Sequence, residues 1–171
     1  MITETQRLYI ELANVTDSPF FFKLMNSENW LNFIGNRGID SQNKAKNYIQ
    51  KSLIDSYEAY GYGLYKISLK ETGSAIGICG FIKRDYLQYA DIGFAVLPEY
   101  ERMGYIFEAA TAVMAYGVNS LKLQPILAVT TPKNLRSRKL LNHIGLRQID
   151  TIKPSEGGLE FLLFSNDWPS V

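Results

Sequence analysis

The chain has 171 residues, of which 46% are hydrophobic and 20% are charged. This composition supports a buried core, excludes a disordered chain and leaves no room for two full-sized domains, so we expect a single domain over residues 1–171. Lys and Arg number 18 against 17 Asp and Glu, a balance that argues against a protein living mainly on nucleic acid or on an anionic membrane.

The first half of the chain predicts helices followed by an antiparallel meander. Residues 8–13 alternate in hydropathy and predict a strand. Thr16 or Asp17 can cap a first helix, and Ser41 can cap a second. The apolar residues of the second helix recur every four positions from Ala45 to Tyr57. Residues 63–69, 75–83 and 90–97 predict three strands joined by short turns.

The second half alternates between helix and strand. Residues 104–121 have an apolar face at helical spacing, and residues 126–130 form a β-branched run typical of a central strand. Asn134 can cap a further helix that ends at Gly145. Residues 147–152 and 159–164 predict two final strands. The order predicts an α+β fold with a mixed, mostly antiparallel sheet flanked by helices.

The chain has no mark of secretion or of membrane insertion. Cys79 is the one cysteine, which excludes an intrachain disulfide, and its apolar strand predicts a buried thiol. The first residues lack the pattern of a signal peptide, and no apolar run is long enough for a membrane span. We therefore expect a soluble cytoplasmic protein.

Residues 91–108 carry the clearest functional pattern. A strand ends at Pro98, and a short loop with Arg102 and Gly104 opens directly into a helix. Free N–H groups, the helix dipole and an arginine together suit a phosphate group. An ordinary strand–helix connection is the alternative. The usual nucleotide-binding fingerprints are absent, which leaves a nucleotide-binding protein unrelated to coenzyme A with little support.

This segment resembles motif A of the GNAT acetyltransferases. The sequence E-R-M-G-Y-I at residues 101–106 resembles the loop Q/R-x-x-G-x-G/A, which grips the pyrophosphate of acetyl-CoA. Further matches are similar to the RimJ/RimL-like branch of ribosomal-protein N-acetyltransferases. They are D-I-G-F at 91–94 for E-I-G-Y, G-Y-x-x-E-A at 104–109 for G-Y-A-x-E-A, and N-L-R-S with a later G-L at 134–146 for N-x-x-S-x-x-x-L-x-x-x-G-F. E-T-Q-R-L at 4–8 resembles T-E-R-L, and Trp168 resembles a terminal D-W.

The resemblance implies a GNAT-like fold with acetyl-CoA as co-substrate. It also implies cofactor contacts from the loop, from the preceding strand and from the start of the later helix. The implied cofactor-binding residues are Phe94, Val96, Arg102, Met103, Gly104, Tyr105, Ile106 and Asn134. Asn134 is equally expected as a helix cap, and the two roles are compatible.

Two loop positions depart from the family pattern. Glu101 stands where the family has Gln or Arg, and a carboxylate near a pyrophosphate is unfavourable unless it points away or pairs with Arg102. Ile106 stands where the family has Gly or Ala. Its side chain either crowds the phosphates or turns into the core.

The resemblance also implies three candidate catalytic residues. Ser137 is the expected proton donor to the leaving thiolate; a solvent-facing helical serine is the alternative. Asp91 is a candidate base, with a strand-end ion pair as the alternative. Glu160 is a second candidate base, with an exposed edge charge as the alternative. His143 alone cannot build a metal site, so we expect no metal.

The expected reaction is direct transfer of acetyl from acetyl-CoA to a primary amine. The branch includes enzymes acting on protein N-termini, polyamines and small-molecule amines, and the sequence does not choose among them. Trp30, Phe33 and Tyr62 either line an acceptor pocket or belong to the core. We expect no nucleic-acid or membrane partner; homodimers are common in the branch. The alternative function is a catalytically weak acyl-CoA-binding or interaction module on the same fold.

Overall fold

The computed structural model describes residues 1–167, so Trp168 lies outside the described residues. Within them one sheet is built from β1 (Thr3–Glu4), β2 (Leu8–Glu11), β3 (Leu64–Leu69), β4 (Ala75–Ile82), β5 (Asp91–Val96), β6 (Leu127–Thr130), β7 (Arg147–Ile152) and β8 (Phe161–Ser165). The order across the sheet is β1-β2-β3-β4-β5-β6-β8-β7. Neighbouring strands are antiparallel except β5 and β6, which run parallel. This confirms the mixed, mostly antiparallel sheet.

Helices flank the sheet. They are α1 (Ser18–Met25), α2 (Glu28–Phe33), α3 (Gln42–Tyr48), α4 (Asp55–Tyr60), α5 (Tyr105–Asn119) and α6 (Leu135–His143). Short 3₁₀ turns lie at Val15–Asp17 and Pro98–Tyr100. Ser41 caps α3 as predicted, since its hydroxyl accepts a hydrogen bond from the N–H of Lys44. In the part of the chain that the structure describes, no helix is long and apolar enough to cross a membrane.

Two cores cover the two faces of the sheet. Cys79 and Phe81 of β4 lie in the core that packs under α5, whereas Ile78 lies in the core of α1 to α4 with Phe21 and Leu53. Successive strand residues point to opposite faces, so β4 contributes to both cores. Cys79 is fully buried, as predicted, and burial raises the pKa of its thiol.

The second predicted helix is present but is not a regular α-helix throughout. It consists of α3, a π-helical segment Ile49–Ile54 and α4. A spacing of four residues exceeds the 3.6 residues of an α-helical turn, so a wider turn keeps Ala45, Ile49 and Leu53 on one face. All three side chains have zero exposure. This segment forms one wall of the cleft described next.

Candidate active site

Strands β5 and β6 separate and leave a split in the sheet. Within residues 1–167 their one registered pair joins Asp91 to Leu127, and the N–H of Leu127 donates to the carbonyl of Ala90 over 2.9 Å. On its other edge β5 stays paired with β4 along its whole length. The split therefore opens beside the second half of β5, directly before the loop with the family motif.

The backbone of β5 presents hydrogen-bonding groups to this split. The N–H of Leu97 donates to the carbonyl of Ile76 over 2.9 Å, which fixes the hydrogen-bonded positions of the β4–β5 ladder. In an antiparallel strand, the N–H and the C=O of one residue point to the same edge, and those of the next residue point to the opposite edge. Counting back from Leu97, the backbone groups of Phe94 and Val96 point away from β4 and toward the split.

A cleft of about 1050 Å³ follows the split. One side is formed by β5, β6 and the starts of α5 and α6, and the other by α2, the π-helical segment and α4. The structure brings most predicted site residues to it. Those lining the cleft are Phe94, Val96, Arg102, Gly104, Tyr105, Ile106, Asn134 and Ser137. Asp91, Met103 and Glu160, all within the described residues, do not line it.

The loop before α5 is built for a sharp turn. Arg102 has φ +60° and Gly104 has φ +79°, both in the left-handed region. Glycine adopts this conformation without strain, which explains its use at the residue preceding the helix. Helix α5 then begins without a side-chain cap. Its first N–H groups and its dipole can therefore serve an anion in the cleft, where Arg102 is exposed beside them.

The N-terminal strands hold this loop in place through Glu108. One carboxylate oxygen accepts from the Thr5 hydroxyl and from the N–H of Arg7 (2.9 Å), and the other accepts from Arg7 Nε at 2.7 Å. Arg7 also donates to the carbonyl of Met103 over 3.0 Å and lies 4.4 Å from the ring centre of Tyr105. Two of the family-like segments, at 4–8 and 104–109, thus bind each other. These contacts hold the loop and the first turn of α5 against the N-terminal strands.

Glu101 lines the cleft and pairs with residues of α2 and α6. Its carboxylate accepts from Arg136 NH1 at 2.6 Å and from the side-chain amide of Asn29. The expected partner, Arg102, is not the one used. Ile106 combines both expected placements, because its half-buried side chain packs against the core under α5 and also lines the cleft.

The start of α6 presents Asn134 and Ser137 to the cleft. The Asn134 side chain accepts from the N–H of Ser137 over 3.1 Å, which confirms the predicted helix cap. The cap uses only the backbone of Ser137, so its hydroxyl is not required for it. Both residues line the cleft, and Ser137 is partly buried there.

Asp91 forms a buried ion pair behind the cleft. Arg84 Nε donates to both of its carboxylate oxygens at 3.0 Å, and the Asp91 side chain has zero exposure. Burial raises the pKa of Asp91, while Arg84 acts against that rise by stabilising the charged form. Arg84 itself is partly exposed and lines the cleft. The direct effect of Asp91 is therefore to fix Arg84.

Two other nominated residues face solvent. The Glu160 side chain is 47% exposed and lies 3.8 Å from Lys153 Nζ. Met103 is also exposed, and it contributes a carbonyl to Arg7 rather than a side chain to the cleft. His143 is exposed on α6, with Nδ1 2.7 Å from the carbonyl of Lys139.

The wall opposite α6 is aromatic. Trp30 and Phe33 line it, whereas Tyr62 does not. The Tyr62 ring instead packs edge-on against the Phe81 ring, with 6.1 Å between the ring centres. Sequence reasoning missed the tyrosines that share this wall with them, which are Tyr48, Tyr60 and Tyr86. It also missed the cations Arg37, Lys51 and Arg136. Arg136 immediately precedes Ser137 in the matched motif, a signal that could have found it.

Comparison with known proteins agrees with this geometry. The family described as "Acetyltransferase (GNAT) domain" matches residues 7–147. The uncharacterized N-acetyltransferase YnaD of Bacillus subtilis (strain 168) is 27% identical over 144 residues, covering 84% of this chain and 81% of YnaD. The uncharacterized N-acetyltransferase YoaA of the same organism is 26% identical over 170 residues, covering 98% of this chain and 91% of YoaA.

Solved structures share the fold. One is RimL, a ribosomal L7/L12 α-N-protein acetyltransferase in complex with coenzyme A, which has a TM-score of 0.82 at 16% identity and covers 96% of each chain. An acetyltransferase from Agrobacterium tumefaciens str. C58 has a TM-score of 0.81 at 23% identity, covering 97% of this chain and 94% of its own. Since the family match spans most of the sequence, the chain belongs to the GNAT acetyltransferase family.

Proposed function

We propose that this enzyme, as a member of the RimJ/RimL-like branch, transfers acetyl from acetyl-CoA directly to a primary amine, with residues 1–171 as one domain. One observation carries the proposal. The split between β5 and β6 leads straight to the uncapped start of α5, and the backbone of β5 and Ser137 face the same cleft. One protein of the same fold is solved with coenzyme A, which supports this use of the split.

The cofactor contacts follow from the groups on each wall. The N–H groups at the start of α5 and the side chain of Arg102 suit the pyrophosphate. The outward-facing backbone groups of Phe94 and Val96 can pair with the amides of the pantetheine arm. Asn134 lines the cleft where that arm would pass α6. The Ile106 side chain narrows the part of the cleft proposed to hold the phosphates. Met103 is proposed to contact the cofactor through its backbone.

The chemistry needs few protein groups. The lone pair of a neutral amine forms a bond to the thioester carbon, and the carbon–sulfur bond then breaks. A backbone N–H of β5, at Phe94 or Val96, stabilises the negative charge that develops on the thioester oxygen. The Ser137 hydroxyl donates its proton to the departing thiolate and is reprotonated from solvent. The nitrogen loses one proton, and the products are an amide and coenzyme A.

Neither candidate base lies at the cleft surface, where it could accept the proton that leaves the amine. Asp91 is covered by Arg84, and Glu160 is outside the cleft. We propose that water carries this proton and that Asp91 acts through Arg84. The proposed acceptor is a primary amine of a protein N-terminus, of a polyamine or of another small molecule.

The alternative is a catalytically weak acyl-CoA-binding or interaction module on the same fold. Its motivation is the two loop positions that depart from the family pattern, which are Glu101, whose charge lies near the proposed phosphate site, and Ile106, whose side chain narrows it. The pairing of Glu101 with Arg136 neutralises that charge and favours the enzyme.

Ligand-dependent unfolding tests the cofactor first. Acetyl-CoA at about 100 times its Kd should stabilise the protein by about 2.7 kcal/mol, which raises Tm by roughly 5–10 °C for a domain of this size. NAD and ATP serve as controls and should have no such effect. Release of free thiol with a panel of amines then measures turnover. A shift without turnover would favour the acyl-CoA-binding module. No shift at millimolar acetyl-CoA would overturn the enzyme and favour the interaction module.

A further inference from the structure

The aromatic wall of the cleft carries more positive than negative charge. Arg37, Lys51 and Arg84 line it, and Arg84 is the one already held by Asp91. Arg37 and Lys51 are exposed, and no salt bridge within residues 1–167 involves either of them. Two cations that line the cleft are therefore left without an ionic partner among the described residues.

Two acidic residues line the same wall, Asp55 and Asp85, against the four cations Arg37, Lys51, Lys83 and Arg84. Asp55 accepts a hydrogen bond from the Gln50 side chain over 3.1 Å, and Asp85 follows Arg84 in the turn after β4. Lys83 also lines this part of the cleft and donates to the carbonyl of Leu87. The chain as a whole has a net charge of only +1, so the excess here is local.

Two arginines converge on the same pair of tyrosines. Burial raises the pKa of Tyr48 and that of Tyr86, and both Arg37 and Arg84 act against these rises. Arg84 also lies 5.9 Å from the ring centre of Tyr86. Arg37 and Arg84, which belong to segments far apart in sequence, thus share one end of the cleft.

Trp30 adds a donor that has no partner. Its side chain is 4% exposed and lines the cleft, and its Nε1 makes no hydrogen bond within the described residues. A buried N–H is normally satisfied by protein, by water or by a ligand oxygen. Beside Trp30, Phe33 and Ile34 are each 40% exposed and line the cleft as well. The cleft therefore presents cations together with the exposed apolar surface of Phe33 and Ile34.

We propose that the acceptor amine also carries an anionic oxygen group such as a carboxylate, which Arg37 binds, while the apolar body of the acceptor packs on Trp30 and Phe33. This inference rests on the proposed acetyl transfer and names its substrate class. A carboxylate gains charge-assisted hydrogen bonds at this wall. A polyamine is disfavoured, because its additional ammonium groups would meet the cations of the wall.

Matched acceptors test the proposal on the full chain. Initial rates with acetyl-CoA are measured for phenylalanine against phenethylamine, and for the peptide amide Ser-Asp-Ala against Ser-Asn-Ala. Spermidine is the polycationic control. We expect the anionic member of at least one pair to have a kcat/KM higher by about tenfold. The first pair places the anion on the amine-bearing carbon, and the second places it on the next residue.

Two variants show whether Arg37 is responsible. Arg37→Gln should reduce the advantage of the anionic acceptor to less than about twofold, because it removes the charge-assisted contact. Lys139→Gln removes the same charge from the outer face of α6, outside the cleft, and should keep the advantage. Acetyl-CoA binding is followed by calorimetry in both variants and should be unchanged.

Each outcome decides the proposal. Equal rates within both pairs, a preference for spermidine, or an advantage that persists in Arg37→Gln would overturn it. Tight acetyl-CoA binding with no acetylation of any anionic probe also counts against it, while leaving the cofactor assignment intact. Failure of acetyl-CoA to bind would instead defeat the proposed function itself, so the two failures are distinguishable.

Discussion

Glu101 Oε2 accepts a 2.6 Å hydrogen bond from Arg136 NH1, and this pair joins the two segments that follow the separating strands β5 and β6. The other carboxylate oxygen accepts from Asn29 of α2. One side chain, in the loop before α5, therefore contacts α6 on its own side of the cleft and α2 on the other. The family usually has Gln or Arg at this position, so the carboxylate brings a charge that its own partner, Arg136, must offset.

The two members of this pair should have opposite effects on acetyl-CoA binding. Glu101→Gln removes a like charge near the proposed pyrophosphate site and releases Arg136, so Kd should fall by about fivefold, or about 1 kcal/mol. Arg136→Gln leaves the carboxylate uncompensated, so Kd should rise by a similar factor. Calorimetry measures both, with Glu71→Gln in the β3–β4 turn as the charge-matched control. A purely structural pair would change Kd in the same direction in both variants.

Ser137→Ala should slow the chemical step and spare the fold. The helix cap uses the backbone N–H of Ser137, which alanine keeps, so Tm should stay within about 2 °C. Loss of the proton donor should lower kcat by about 10²-fold, with little change in the Kd of acetyl-CoA. Ser120→Ala at the end of α5 is the control. An unchanged kcat at saturating acetyl-CoA would remove Ser137 from the mechanism.

Asp91→Asn should lower stability because it leaves Arg84 without its buried counter-ion. Breaking one side of a buried ion pair typically costs about 3 kcal/mol of unfolding free energy. The double variant with Arg84→Met should recover most of that loss. Denaturant titration measures the free energy of unfolding of the unmodified protein, of Asp91→Asn and of the double variant. The pH profile of kcat at low temperature gives the second readout. If Asp91→Asn keeps its stability but loses the acidic limb of the profile, Asp91 is the base itself.

The features that were predicted best from the sequence are those determined by residues close to one another in the chain. The caps at Ser41 and Asn134, the long helix after the loop and the mixed sheet all follow from short patterns, and the structure confirms them. The family motif also predicted which loop would line the cleft. Strand and helix ends differ from the prediction by a residue or two, since local patterns do not fix where pairing stops.

The contacts that sequence could not give join residues far apart in the chain. Glu101 and Arg136 are 35 positions apart, whereas the sequence suggests only the adjacent Arg102 as a partner for Glu101. Arg7 and Glu108 are 101 positions apart, although each belongs to a family-like segment. The catalytic and cofactor assignments stay predictions, which the variants of Ser137, Asp91, Glu101 and Arg136 test.

The hydrogen bonds that Glu108 accepts should make stability depend on pH on the acidic side. Despite partial burial, the bonds from Thr5 and Arg7 keep the pKa of Glu108 below its ordinary value. The folded state therefore holds this carboxylate charged more strongly than the unfolded state does. Its stabilisation is fully present above the ordinary glutamate pKa of about 4.3 and is lost as the pH falls through the lower folded value.

Glu108→Gln should thus destabilise the protein at pH 7 by about 1–2 kcal/mol, since a neutral amide cannot replace the charge-assisted bonds. The difference from the unmodified protein should shrink as the pH falls below the ordinary glutamate pKa of about 4.3 and Glu108 itself becomes protonated. Denaturant titrations at pH 7, 5 and 3.5 measure it, with Glu71→Gln as the charge-matched control. A difference that stays constant across this range would mean that the contacts around Glu108 act through packing rather than through its charge.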